Sequence, residues 1–105
     1  MHISVFEYRI RDIDEAGWAV KCVNELAPAF AAVPGLLSKF WLHGEGVVRG
    51  GVYVWTDREA YVTFLDSELG RALGTHPNIA ELAMREYAVD EAPTRVTRGL
   101  VGAAA

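Results

Sequence analysis

The chain has 105 residues, of which 51% are hydrophobic and 23% are charged. This balance fits one globular domain and excludes a disordered or collagen-like chain. Ten basic against fourteen acidic residues give a net charge of −4, so nucleic acid is not an expected partner. Charged residues and prolines interrupt the apolar stretch 16–37, so no membrane span is expected either. The single cysteine, Cys22, cannot form an intrachain disulfide, which fits a cytoplasmic location.

The first third of the chain predicts a strand followed by a helix. Residues 1–10 are rich in β-branched and aromatic side chains, which is typical of a strand. Apolar residues then recur at helical spacing behind a group of acidic capping residues, and they predict a helix from about 14 to 32. Pro28 lies inside this segment, where we expect it to kink the helix or to mark its last turns.

The middle of the chain predicts a β-hairpin. Two apolar and aromatic segments, 36–43 and 47–55, predict its strands, and the turn 44–46 joins them. Gly50 and Gly51 lie inside the second of these strands, where a glycine pair indicates a bulge or a close approach of two backbones.

The remaining third predicts a second helix and a last strand. Thr56 and Glu59 have the spacing of a capping box, which predicts a helix that begins there and ends before Pro77. A strand is predicted over about 82–89. Residues 92–105 are polar and then alanine-rich, and they predict an irregular tail of the single domain 1–105.

The order βαββαβ is typical of a ferredoxin-like α+β sandwich, an antiparallel sheet with both helices on one face. The opposite face of the sheet would be bare and apolar, because odd-numbered and even-numbered positions of both hairpin strands carry large hydrophobic side chains. Soluble monomers rarely expose such a patch. We therefore expect a homodimer in which two sheets stack into a dimeric α+β barrel, with a ligand pocket between the sheet and the helices of each subunit.

Five short motifs in order along the chain carry a family resemblance. They are Pro34-Gly35; Leu37, Lys39 and Trp41 at alternate positions; Gly50-Gly51-Val52-Tyr53; Thr56-Asp57; and Val89-Asp90-Glu91. In these positions the chain resembles the YdhR-type mono-oxygenases, which belong with the antibiotic-biosynthesis monooxygenase group of dimeric α+β barrels. The resemblance implies a homodimer that oxygenates a small aromatic or polyketide-like substrate with dioxygen and without flavin, haem or metal.

Such a reaction needs a base, a dry aromatic pocket and a donor for the developing oxyanion. His43, at the end of the second strand, is the best-placed base, since histidine titrates near neutral pH; alternatively it is a solvated side chain beside the turn. His76 could reach the pocket mouth from its loop, or it is an ordinary loop histidine. Lys39 could act as a base or stabilise a phenolate if it points into the pocket, or it could block aggregation of an edge strand.

Four further residues are candidates for contact with the substrate. Trp41, Tyr53 and Trp55 could stack on a planar ligand, although aromatic side chains on strands more often pack in a core or an interface. Arg85 on the last strand could contact a ligand or pair with a neighbouring acid.

Other chemistries lack their motifs in this sequence. There is no nucleotide-binding glycine pattern and no histidine pair with metal-ligand spacing, so no cofactor and no metal are expected. Haem-degrading relatives of this fold use an asparagine, and neither Asn24 nor Asn78 matches it. Two alternatives remain open: an isomerase or cyclase that uses one acid–base residue on the same barrel, and a non-catalytic dimer that binds a small molecule.

Overall fold

The computed structural model describes residues 1–99. It contains the four predicted strands, in chain order β1 (His2–Ile10), β2 (Leu36–His43), β3 (Val48–Trp55) and β4 (Ile79–Ala88). They form one antiparallel sheet in the order β2-β3-β1-β4. The helices lie against one face of this sheet, so the predicted ferredoxin-like α+β fold is confirmed.

The first helical segment is interrupted by a wider turn. Helix α1 (Glu15–Lys21) leads into a π-helical turn, Cys22–Leu26, and helix α2 (Ala27–Ala31) follows. The Ala27 amide donates to the Cys22 carbonyl across five residues. Pro28 sits in the first turn of α2, and the wider turn before it relieves the clash that a proline ring makes with an ordinary α-helical turn.

The second helical region begins and breaks at side-chain caps. Asp57, rather than the predicted Thr56, caps helix α3 (Arg58–Asp66), because its extended backbone lets its carboxylate accept from the Ala60 amide at 2.8 Å. Ser67 then ends α3 and caps helix α4 (Glu68–Thr75) by accepting from the Gly70 amide at 3.1 Å.

The predicted irregular tail is wrong at its start. Helix α5 (Glu91–Val96) forms there, since Glu91 lies in its first turn, where a carboxylate favours a helix, and also pairs with the Met1 amino group at 3.3 Å. The part of the tail from 100 to 105 lies outside the described residues. Across residues 1–99, no helix is long and apolar enough to cross a membrane.

The core lies between the sheet and the helices and consists largely of aromatic rings. Trp55 is fully buried, and its indole N–H donates to the Ser4 hydroxyl at 2.9 Å. The rings of Tyr53 and Trp55 stack with centroids 5.9 Å apart, and Phe64 of α3 packs on both. This face of the sheet therefore holds the even-numbered side chains of β1 and the odd-numbered side chains of β3.

The other face of the sheet carries no helix. Its residues alternate with those of the core along each strand, and cross-strand register brings Phe40, Val52, Val5 and Arg85 into one row. Phe40 is 61% exposed. We call this apolar surface the open face; it matches the bare face predicted from the hairpin sequence.

Gly50 provides a test of how tightly β3 packs on β1. A methyl group on Gly50 would collide with the backbone carbonyl of Phe6, and that carbonyl cannot move without disturbing the β1–β3 ladder. We expect Gly50→Ala to lower the free energy of unfolding by about 1–3 kcal/mol. Gly74→Ala is the matched control, since its added methyl meets no atom within 4 Å and should stabilise α4 by about 0.5–1 kcal/mol. Equal effects of the two variants in urea denaturation would contradict the packing argument.

Candidate functional site

A cavity of about 740 Å³ opens between helix α1 and the sheet. Its walls are mostly apolar and come from the helical segment and from β1, β2 and β3. The lining residues are Tyr8, Glu15, Ala16, Trp18, Ala19, Cys22, Val23, Ala27, Trp41, Leu42, His43 and Arg49. Its volume fits a ligand of two or three fused rings, since small-molecule pockets commonly span roughly 300–1,000 Å³. We call it the α1 cavity.

Three polar side chains meet at the wall of the α1 cavity. Glu15 Oε1 lies 3.2 Å from His43 Nε2 and accepts from Arg49 Nη2 at 3.0 Å. The His43 side chain is 64% exposed, whereas that of Arg49 is only 7% exposed. The arrangement is therefore a histidine open to solvent and ligand, joined by a carboxylate to a buried guanidinium.

The fold explains how each member of this group is held. Glu15 stands in the first turn of α1, where the helix dipole favours a carboxylate. Arg49 also donates to the carbonyls of Gly46 and Val48, both at 2.8 Å, which fixes it to the hairpin turn. Arg49 thus holds the Glu15 carboxylate in place, and that carboxylate orients the His43 imidazole through its contact with Nε2.

Protonatable groups deeper in the α1 cavity remain neutral near pH 7. Burial raises the pKa of Tyr8 to about 12, and burial also raises the pKa of the Cys22 thiol. The Tyr8 phenol is thus a hydrogen-bond donor and Cys22 is an uncharged thiol. Tyr8 and Trp18 meet edge to face with centroids 5.9 Å apart, so the inner wall is aromatic.

Two of the seven candidates from the sequence line the α1 cavity, His43 and Trp41. The other five do not line it. Lys39 points into the layer between the sheet and α2, with its ammonium 3.0 Å from the ring centroid of Trp41. Tyr53 and Trp55 belong to the core, 3% and 0% exposed, because their parity on β3 faces the helices.

Neither His76 nor Arg85 lines the α1 cavity. His76 Nδ1 accepts from the Asn78 amide at 3.0 Å, and its ring meets the edge of Trp18 with centroids 6.0 Å apart. Burial lowers its pKa, so the ring is neutral near pH 7. Arg85 lies on the open face opposite Val5 and is exposed; within residues 1–99 it forms no ion pair.

Sequence reasoning missed Glu15, Arg49 and Trp18 as site residues. The sequence held a usable signal for Arg49, because Arg49 lies on the same side of β3 as Tyr53. An arginine among apolar side chains needs an acidic or hydrogen-bonding partner, and such a pair can mark a site. Glu15 could not be found this way, because only the packing of α1 on the sheet brings it to His43.

No group of three or more His, Cys, Asp or Glu side chains that could hold a metal occurs in the described part of the chain, residues 1–99. The three histidines have other contacts. His2 Nε2 lies 2.9 Å from Glu86, His43 contacts Glu15, and His76 contacts the Asn78 amide.

Known structures share this fold at low sequence identity. A protein from Deinococcus radiodurans, described as a putative antibiotic biosynthesis monooxygenase, superposes with a TM-score of 0.70 and 20% identity over 88% of this chain and 95% of its own. SnoaB from Streptomyces nogalater, described as a cofactor-independent oxygenase, gives a TM-score of 0.66 and 15% identity over 86% and 93%. A variant of MhuD with two manganese protoporphyrins bound per active site gives 0.62 and 19% over 86% and 95%.

Comparison of the sequence with family models identifies the family, whereas the structural comparison shows only the fold. No curated protein matches the chain. The family model described as "Putative mono-oxygenase ydhR" matches residues 6–100, nearly the whole chain, which confirms the resemblance seen in the sequence motifs. The chain therefore belongs to the ydhR mono-oxygenase family.

Proposed function

We propose that this protein is a monooxygenase that binds a small aromatic or polyketide-like substrate in the α1 cavity and oxidises it with dioxygen, without flavin, haem or metal. The observation that carries the proposal is the Arg49–Glu15–His43 group at the wall of a mostly apolar cavity. A base beside a dry aromatic pocket is what such a reaction requires of a protein. The family match and the fold shared with SnoaB support it.

His43 is the proposed base, since it alone of the three catalytic candidates lines the α1 cavity. Its imidazole removes a proton from an acidic carbon or a phenol of the substrate, and Glu15 stabilises the imidazolium that forms. The resulting carbanion transfers an electron to dioxygen, and the substrate radical and superoxide combine to a peroxide anion, which takes the proton back from the imidazolium. His43 then removes a second proton from the same carbon as the O–O bond breaks. The carbon keeps one oxygen atom as a carbonyl, and the other leaves as hydroxide, which takes the proton from His43 and becomes water.

The walls contribute by excluding water and by stacking. Trp18 and Trp41 provide flat apolar surfaces for a ring system. A low-polarity pocket also keeps the carbanion from being quenched by solvent protons before dioxygen reacts. The Tyr8 phenol, neutral because its pKa is raised, can donate to a developing oxyanion.

Oxygen uptake by the purified protein tests this proposal. We would treat the protein with chelator, confirm that it has no absorbance of a bound flavin or haem, and supply anthrones, naphthols and quinols. We expect uptake of one dioxygen per product and incorporation of one labelled oxygen atom from ¹⁸O₂. Product formed without oxygen would instead indicate an isomerase or cyclase, activity only after haem addition a haem enzyme, and no turnover a binding protein.

The proposal also includes a homodimer, located in the cytoplasm, in which the open faces of two sheets stack. Phe40 and Tyr87 on this face are 61% and 53% exposed. Burial of such side chains stabilises a dimer by about 25 cal/mol per Å² of apolar surface, and it leaves the α1 cavity, on the other side of the sheet, accessible.

A charge placed on the open face should break this dimer. We expect Phe40→Asp to shift the sedimentation equilibrium mass at micromolar concentration from dimer to monomer, because a buried unpaired carboxylate costs several kcal/mol. Val62→Asp on helix α3 is the control, since Val62 is also exposed, 42%, but lies on a helix. A wild-type monomer, or a Phe40→Asp variant that stays dimeric, would contradict the stacked arrangement.

A further inference from the structure

The amine of Lys39 on β2 lies in an aromatic environment. Its ammonium nitrogen lies 3.0 Å from the ring centroid of Trp41, 4.7 Å from that of Phe30 and 4.8 Å from that of Tyr53. No carboxylate in residues 1–99 forms an ion pair with it. The titratable groups that face it are the Cys22 thiol and the phenols of Tyr8 and Tyr53, all uncharged at neutral pH.

Burial and the ring contacts have opposite effects on the pKa of Lys39. The rings favour the ammonium form by about 0.5–2 kcal/mol, whereas loss of hydration without a counter-ion disfavours it more strongly. Burial is the larger effect and lowers the pKa of Lys39 to about 7. A large fraction of the protein thus carries a neutral primary amine at physiological pH, and a neutral amine is a nucleophile.

The fold makes room for this amine and leaves it reachable. A methyl group on Gly51 would lie 3.1 Å from Lys39 Nζ, so the absence of a side chain at Gly51 allows the lysine to fold over the sheet. Lys39 also lines a surface cavity of about 330 Å³ between α2 and β2, together with Phe30, Leu37 and Trp41. This cavity adjoins the α1 cavity, with which it shares Ala27 and Trp41, and its size suits a small molecule.

We propose that Lys39 is a covalent capture site for small aldehydes and ketones. The neutral amine attacks the carbonyl carbon to form a C–N bond, and the resulting carbinolamine loses water to give an imine. Two protons of the amine and the carbonyl oxygen leave as that water molecule, so no oxidant or reductant is needed. Monooxygenase activity in the α1 cavity is not required for this reaction.

The chain provides its own control, because Lys21 is its only other lysine. Lys21 pairs with Glu25 at 3.0 Å on the helix surface. We would incubate the protein with benzaldehyde and cyanoborohydride at pH 7, which reduces any imine to a stable benzyl amine, and quantify both lysines by peptide mass spectrometry. Half of a group with pKa 7 is neutral at this pH, against about one in 2,500 for an ordinary lysine. Allowing for restricted access, we expect Lys39 to be labelled at least about tenfold faster than Lys21.

The pH profile and one variant distinguish capture from general reactivity. Labelling of Lys39 relative to Lys21 should fall as the pH is raised from 7 to 10, since the neutral fraction of an ordinary lysine rises about 700-fold over this range, whereas that of Lys39 only doubles. Gly51→Ala should displace the amine slightly from its place over the rings and reduce the ratio at pH 7, with the fold checked by circular dichroism. In the wild type, which needs no folding control, equal labelling of Lys39 and Lys21 at pH 7 would overturn the proposal.

Discussion

Replacing His43 with glutamine should lower kcat for oxygen uptake by about 10²–10⁴-fold, the usual contribution of a general base. KM should change little, because the apolar walls of the α1 cavity remain. The melting temperature should also be unchanged, since the His43 side chain is 64% exposed. Glu15→Gln should have a smaller effect, about tenfold, because it removes only the carboxylate that stabilises the imidazolium. Steady-state oxygen uptake at several substrate concentrations measures both.

A neighbouring acid on the same hairpin provides the control for these variants. Glu45→Gln makes the same change of charge as Glu15→Gln in the turn after His43, but Glu45 does not line the α1 cavity. We expect wild-type kcat for it. If His43→Gln retained full activity, or if Glu45→Gln were as impaired as Glu15→Gln, the assignment of His43 as the base would be wrong.

Replacing Lys39 with methionine should stabilise the protein at pH 7 by about 2–4 kcal/mol, judged from a pKa lowered to about 7 and reduced for the ring contacts. Between this folded value and the unfolded value near 10.4, the unfolded chain binds the additional proton. The free energy of unfolding of the wild type therefore rises with pH across this window and falls as the pH decreases toward 7. Lys39→Met loses this dependence, so the difference between the two proteins should close near pH 10.

Urea denaturation at fixed protein concentration between pH 7 and 10 measures this difference. Lys21→Met is the matched control, and it should change the stability by less than about 1 kcal/mol, since it removes a surface ion pair. A stability difference between wild type and Lys39→Met that is the same at pH 7 and pH 10 would contradict a neutral, buried amine. A buried charge-bearing group that lowers stability and has no counter-ion is typical of a functional site.

Much of the architecture could be predicted because it depends on local patterns. Alternation along 36–43 and 48–55 and the glycines of the turn between them specify the hairpin within a residue of its observed ends. The predicted start of α3 was wrong where two adjacent residues could each cap the helix. Thr56 and Asp57 can both cap a helix, and backbone geometry selected Asp57. The tail became helix α5 partly because the Met1 amino group, distant in sequence, pairs with Glu91.

The candidate site could be predicted only in part, because a site joins residues that are far apart in the chain. The parity of β2 put Trp41 and His43 on the same face of the strand, but it could not show that this face meets the helices, and it could not separate the α1 cavity from the layer that holds Lys39. Parity also could not show that Trp55 donates in the core to Ser4, which is distant in sequence.

Periodicity and turn residues thus specify the class of fold, the strands and the apolar open face, since each depends on side chains within a few positions of one another. The meeting of Glu15, His43 and Arg49 depends instead on the angle at which α1 crosses the sheet and on the hairpin register. The same is true of the aromatic environment of Lys39, which requires α2, β2 and β3 to pack together. Such contacts arise from packing between elements, which no local pattern encodes.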